Sequence, residues 1–94
     1  YPCHQVAGRE NYMLGNVFEG VKNKERPEEC RKTHVLSKEK CRDCWAKFFC
    51  SGGCHANADL FHGNIHEPYE LGCELQKKRC ECAIVVKTAE KFGL

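Results

Sequence analysis

Nine cysteines occupy a chain of 94 residues, and this density constrains the fold more than any other feature of the sequence. A chain of this length predicts one small domain with a modest apolar core, so a further source of stability is expected. Cysteine supplies it through disulfides, structural zinc or iron–sulfur clusters. Disulfides are disfavoured, because nine is an odd number and the N-terminus shows neither the basic nor the apolar region of an export signal.

Composition gives little reason to expect a nucleic acid or a membrane as a partner. Fifteen basic and 13 acidic residues leave a net charge of +2. The basic runs at 22–26 and 77–79 have glutamates beside or within them, so they are interpreted as solvated faces. No apolar run approaches the roughly 18–20 residues of a membrane span. We expect a cytoplasmic protein and, because the chain lacks an initiator methionine, a part of a longer one.

The N-terminal half predicts a short β-hairpin arm followed by a helix. An extended start at Tyr1–Val6 precedes a glycine-punctuated segment, Leu14–Gly20, which is typical of a hairpin with turns. Pro27 is expected to open a helix that runs to about Val35. Ser37 is a candidate cap for a short turn that leads into Cys41.

The C-terminal half predicts an irregular segment and then one helix. Glycine, asparagine and proline interrupt residues 55–72, so this segment is expected to be a loop. A C-terminal helix is predicted over about 74–91, since apolar positions recur at helical spacing at Leu75, Cys82, Val86 and Ala89. The predicted fold class is therefore a small, loop-rich α+β domain stabilised by a metal cluster.

The cysteine pattern carries the chemistry. It runs Cys41-x2-Cys44-x5-Cys50-x3-Cys54 and continues at Cys73. A C-x2-C turn directs two thiolates at one ion or cluster, and the remaining two ligands must come from elsewhere in the chain. Spacing alone does not distinguish zinc from an iron–sulfur cluster, so both stay open here.

Two glycines separate Cys50 from Cys54 and make a regular helix between them unfavourable. The backbone of Ser51–Gly53 can pass close to a bulky inorganic core, and the two flanking cysteines can then serve different sites. Three aromatic side chains interleave with these ligands and are expected mainly in the core, where they would also exclude water from a cluster: Trp45, Phe48 and Phe49. His34 and His55 follow cysteines and are alternative zinc ligands, although a packing role is favoured for each.

The order of cysteines from Cys41 to Cys73 resembles the SPASM domain of radical S-adenosylmethionine enzymes. That family's pattern opens with a further cysteine pair, and Cys3 resembles its second member. The stretches Cys50–Ala58 and Gly72–Arg79 are similar to the maturases of six-cysteine (SCIFF) peptides, which build thioether cross-links in a ribosomally made precursor. The resemblance covers nearly all of residues 1–94, read as one SPASM-like auxiliary domain without the radical barrel.

The resemblance implies two auxiliary [4Fe–4S] clusters. The distal cluster would be held by Cys41, Cys44, Cys50 and Cys73. The proximal cluster would use Cys3 and Cys54, together with cysteines that precede this chain, and would be incomplete here. Zinc is a possible substitute at either site, because thiolates accept it readily.

Four other residues lie outside these ligand sets. Cys30, Cys80 and Cys82 are expected to be free thiols that are packed or partly exposed. Some relatives carry an aspartate that serves as a base directly after the position of Cys3, whereas this chain has His4, which we interpret as a bystander.

The chain is not expected to be catalytic by itself. The C-x3-C-x2-C motif that a radical S-adenosylmethionine core needs is missing, since Asn57 stands where its third cysteine would be. The parent enzyme implied by the resemblance pairs this domain with a radical S-adenosylmethionine core and acts on a precursor peptide. Its clusters would bind the substrate thiol or transfer electrons. The alternative from a different class is a non-catalytic zinc module that binds a partner protein, and a secreted disulfide domain is a weaker third.

Overall fold

A computed structural model describes all 94 residues and contains five α-helices and one two-stranded hairpin. The strands are β1, Gly15–Asn16, and β2, Gly20–Val21, paired antiparallel with Gly15 opposite Val21. Two single-turn 3₁₀ helices precede them, at His4–Val6 and Glu10–Tyr12. The helices are α1 (Glu25–Lys32), α2 (Glu39–Arg42), α3 (Lys47–Cys50), α4 (His55–His62) and α5 (Glu70–Phe92). The small α+β class is therefore observed, with more helix than strand.

Local side chains explain where the first elements form. The Asn16 carboxamide oxygen accepts hydrogen bonds from the backbone N–H groups of Phe18 (3.0 Å) and Glu19 (2.9 Å), which closes the hairpin turn. Asn23 accepts in the same way from the N–H groups of the first two residues of α1, at 3.1 Å each. Pro27 is the third residue of α1, where a missing N–H costs nothing.

Three predictions about secondary structure are wrong. The segment Tyr1–Val6 is not extended but ends in a 3₁₀ turn, because Val6 must turn inward to be buried. Residues 55–72 are not irregular throughout, since α4 occupies 55–62 and its glycine and proline breakers lie beyond its end. Ser37 does not cap α2; its hydroxyl instead accepts from the His34 backbone N–H at 2.9 Å.

The apolar core is small and lies near the N-terminus. Twelve of the 94 residues are buried. Four of them form the hydrophobic cluster, against which the Cys30 side chain packs: Val6, Tyr12, Ala56 and Ile65. Two guanidinium groups lie over the Tyr12 ring, that of Arg26 at 4.2 Å from the ring centroid and that of Arg9 at 5.2 Å. The prediction that Arg26 belongs to a solvated face is therefore wrong, since its guanidinium packs against an aromatic ring.

An ion pair extends this cluster to α4. Arg9 contacts the buried Asp59 carboxylate at 2.6 Å. Burial first, and then the nearby Asp59 carboxylate, raise the pKa of Tyr12 to about 12. The N-terminal turns, α1 and α4 are thus joined around one tyrosine.

Helix α5 stands apart from this core. It begins four residues earlier than predicted, at Glu70, and has 23 residues, none of which is buried. At 1.5 Å per residue it is about 34 Å long, which accounts for much of the 57 Å length of the molecule. Its aliphatic side chains are largely exposed, including Leu75 and Val86, which the periodicity placed on a packing face. None of the helices combines the length and apolar character needed to span a membrane.

Removal of an isoleucine side chain should lower the free energy of unfolding more in the core than on α5. Ile65→Ala deletes a side chain that is 0% exposed and should lower the free energy of unfolding by about 2–5 kcal/mol. Ile84→Ala is the matched control, because Ile84 on α5 is 55% exposed and its loss should change stability by about 0.5 kcal/mol or less. Urea unfolding of the metal-free chain measures both, and equal losses would show that α5 is packed in solution.

Candidate metal centre

Four cysteines from three parts of the chain line one cavity of about 1010 Å³. Helix α2 carries Cys41, Cys44 follows its end, and α3 ends at Cys50. Cys73 is contributed by the first turn of α5, far along the chain. The backbone N–H of Cys44 donates to the Cys41 carbonyl at 3.1 Å, which forms the expected C-x2-C turn. These are the four residues assigned to the distal cluster.

The thiols lie close enough to influence one another electrostatically. Burial raises the pKa of Cys73, and Cys41, Cys50 and Cys44 add to that increase. Burial also raises the pKa of Cys41, which is 8% exposed; the positive charge of Lys38 opposes this, and Cys50 and Cys44 reinforce it. Negative charge on one thiol therefore disfavours it on the next, as expected where sulfurs share a site.

The fit to a metal group depends on how the sulfurs are spaced. No three His, Cys, Asp or Glu side chains converge closely enough to hold a single ion. A tetrahedral zinc with Zn–S bonds of about 2.3 Å would need sulfurs about 3.8 Å apart. Zinc would thus require the cysteines to move inward, while a larger polynuclear cluster would need the same four sulfurs at a wider spacing than zinc does. An all-sulfur donor set suits either group.

Cys54 also lines the cavity, but its thiol has other contacts. The Cys54 S–H donates to the side-chain oxygen of Gln5 at 3.2 Å, and its sulfur accepts from the Asn57 N–H at 3.5 Å as the cap of α4. Gln5 lies two residues after Cys3, and both Cys3 and Cys54 are exposed. The two residues assigned to the proximal cluster therefore belong to the same exposed region of the molecule.

The turn between Cys50 and Cys54 has left-handed backbone at all three of its positions. Three consecutive residues have positive φ: Ser51 (62°), Gly52 (96°) and Gly53 (79°). Such a run is unfavourable for residues with a Cβ, so glycine suits the last two of these positions. The glycines thus allow two cysteines only four positions apart to have different partners.

The remaining candidate ligands lie outside the cavity wall. His34 and His55 do not line it. The His34 ring accepts from the Leu36 N–H at 3.2 Å, while burial first, and then Lys38 and His66, lower the pKa of His55. His4 is exposed. Cys30 is half-buried beside the core, Cys80 is half-buried on α5, and Cys82 is exposed there.

The prediction that the three interleaved aromatic residues lie in the core is wrong. Trp45 is 52% exposed, Phe48 74% and Phe49 71%. Only Trp45 lines the cavity. The short helix α3 cannot bury both faces against so small a core, so its phenylalanines remain at the surface.

One functional candidate was missed by the sequence reading. Lys38 is only 3% exposed, and its ammonium donates to the Gly52 carbonyl at 2.8 Å. It lies in the highly polar stretch Ser37–Lys40, which gives no signal that this lysine is turned inward. A buried lysine depends on tertiary neighbours that periodicity does not reveal.

Comparison with protein-family models and with curated proteins finds no match to this chain.

The raised cysteine pKa values predict a loss of stability at alkaline pH. The folded metal-free chain holds the Cys41 and Cys73 protons more tightly than the unfolded chain, whose thiols titrate near the ordinary value of 9.0. Stability should therefore fall as the pH rises past 9.0, because only the unfolded state gains from ionisation there. Urea unfolding at neutral and alkaline pH measures it.

The matched control for this prediction is the double variant Cys41→Ala, Cys73→Ala. It should show a shallower alkaline decline, with the remainder due to other groups such as Lys40, whose pKa is raised by its hydrogen bond to Glu70. An identical decline in both proteins would contradict the assignment.

Proposed function

We propose that this chain is an auxiliary iron–sulfur domain of a radical S-adenosylmethionine enzyme that installs thioether cross-links in a ribosomally made peptide. The observation that carries the proposal is that Cys41, Cys44, Cys50 and Cys73 line one cavity although α5 supplies the last of them. An all-cysteine set around a space larger than one ion is typical of a [4Fe–4S] centre. The SPASM resemblance supplies the enzyme class.

The position of Cys54 supports a second cluster. Its thiol lines the same cavity, but its hydrogen bond goes to Gln5, two residues after the N-terminal Cys3, and not to any of the four grouped thiols. We infer that Cys3 and Cys54 contribute to a proximal cluster whose other ligands come from elsewhere in the parent protein. The same parent would supply the radical core, and we place it in the cytoplasm, where thiols stay reduced.

The chain's own contribution would be to hold and position the group. When bound, a [4Fe–4S] cluster supplies one-electron transfer and an iron site for a substrate sulfur. The turn at Ser51–Gly53 brings backbone close to the cavity, and the largely buried Cys41 anchors one side of it. The cavity is open to solvent beside the exposed Trp45, so a peptide thiol would have a path to it.

A structural zinc module is the second candidate. The same four thiols are acceptable zinc ligands, and the largely exposed aliphatic side chains of α5 would be available to a partner protein. Zinc would need the sulfurs to converge, which makes this reading less favoured. The two candidates differ in labile sulfide, which only an iron–sulfur centre contains.

The test is anaerobic reconstitution of the full chain with iron and sulfide, followed by assay of iron, sulfide and zinc. About four irons with matching sulfide and a broad brown absorption would support one complete cluster. About one zinc that iron cannot displace, with no sulfide, would favour the zinc module.

A pair of variants at Cys50 and Cys54 sharpens this test, because these two cysteines flank the same glycine turn. Cys50→Ala should remove nearly all iron and sulfide, since it deletes one of the four grouped ligands. Cys54→Ala should retain them, because that thiol is bonded to Gln5. Cys82→Ala on exposed α5 is the control for loss of any thiol. Retention of the full spectrum in Cys50→Ala would refute the ligand assignment.

A further inference from the structure

Lys38 is the one lysine of the chain that is buried. Its side chain is 3% exposed, and its ammonium nitrogen lies 2.8 Å from the Gly52 carbonyl oxygen. The remaining lysines are exposed or half-buried. Lysine is almost never fully buried without a partner, so this position needs an explanation.

No acidic side chain neutralises this ammonium. Every ion pair of the structure involves other residues. A carbonyl oxygen satisfies one N–H of the ammonium but does not cancel its charge, and an uncompensated buried charge is costly. The nearby titratable ring is that of His55, whose pKa Lys38 lowers, so it supplies no negative charge.

The groups that can become anionic beside Lys38 are thiols. The Lys38 carbonyl accepts from the backbone N–H groups of Cys41 (3.1 Å) and Arg42 (2.9 Å), so the lysine begins the helix that presents Cys41. Its ammonium is bonded to the turn that connects Cys50 to Cys54. The positive charge also opposes the burial that raises the pKa of Cys41. Lys38 therefore joins two of the segments that line the cavity.

We propose that Lys38 is the internal counter-ion of the metal–thiolate centre formed by Cys41, Cys44, Cys50 and Cys73. Four thiolates carry more negative charge than one zinc ion or one cubane cluster neutralises, so either centre stays anionic. A fixed cation buried against the Gly52 carbonyl, which lies in the cavity wall, compensates that charge where solvent cannot screen it. Lys38 is thus a positioning and charge-balancing residue, and it binds no metal itself.

The proposal rests on a metal–thiolate centre, as the proposed function does, but not on the identity of its metal. The proposal predicts different effects of removing the Lys38 charge in the metal-free and in the metal-bound protein. Without metal the ammonium has no anion beside it, so removing its charge should leave stability unchanged or higher. With metal bound, the same change should weaken retention of the metal by about 10–100-fold.

The decisive variant is Lys38→Gln, which keeps an amide donor for the Gly52 carbonyl and removes the charge. Lys38→Met removes both the donor and the charge. Lys47→Met is the matched control, because Lys47 lines the cavity and its ammonium also donates to a backbone carbonyl, that of Arg42 at 2.9 Å, but through an exposed hydrogen bond. Solvent should screen its charge, so its loss should have little effect on retention.

Two measurements on the full chain test the proposal. Thermal unfolding of the metal-free protein gives the effect of each Lys38 variant on stability when no metal–thiolate centre is present. Transfer of iron, or of zinc in protein prepared with zinc alone, to a competing chelator gives the effect on retention. Without metal, Lys38→Gln should melt at the temperature of the parent chain or above it, and yet it should release bound metal at least about tenfold faster. Its reconstituted cluster should also have a more negative reduction potential, since loss of a nearby cation disfavours the added electron.

Each other outcome overturns the counter-ion role. Retention and potential in Lys38→Gln equal to those of the parent chain, with loss only in Lys38→Met, would reduce Lys38 to a hydrogen-bond clamp. Unfolding of both variants without metal would make it a purely structural residue. If the parent chain takes up zinc and no sulfide, the proposed enzyme class fails, and the zinc-release arm still decides for or against Lys38. If it takes up neither metal, both proposals fail.

Discussion

The chain buries too little apolar surface to fix the position of its longest helix. Its core lies among the N-terminal turns and α4, whereas α5 contributes no buried residue. Near its start α5 is linked by the Lys40–Glu70 ion pair at 2.5 Å and by the stacking of Phe61 on Tyr69 at 4.0 Å. An exposed ion pair contributes about 0–1 kcal/mol and an aromatic pair about 0.5–1.5 kcal/mol. The contacts that hold α5 are therefore few and weak, and any group bound by Cys73 would help to fix its orientation.

Elements with strong local signals could be predicted from the sequence, and those set by packing could not. Helix α1 begins near Pro27, and helical periodicity located α5 to within a few residues at its C-terminal end. Helix α4 was missed because the breakers that follow it were taken to govern the whole segment, although alanines at 56 and 58 favour a helix. The exposed face of α5 was missed because periodicity indicates an amphipathic helix but not whether anything covers it.

The candidate site likewise contains residues that the sequence could predict and residues that it could not. Sequence pattern was enough to identify the five cysteines between positions 41 and 73 as candidate ligands, of which the resemblance grouped four, and the structure brings all five to one cavity. It was not enough to locate Lys38, since the burial of a polar side chain is decided by neighbours distant in sequence. The exposure of Phe48 was missed for the converse reason. An aromatic residue between ligands can be buried only where the apolar core of the domain is large enough to cover it.

The order of the ligands along the chain implies how a metal would act on the fold. Cys41, Cys44 and Cys50 lie within ten residues, so they form a half-site whose assembly needs little loop closure. Cys73 follows 23 residues after Cys50 and lies on a helix that is weakly attached. A metal held by all four thiols would thus spend part of its binding free energy on ordering α5, and in such sites binding free energy is folding free energy. Because the Cys54 thiol hydrogen bonds to Gln5, such a centre would close on the other four thiols of the cavity.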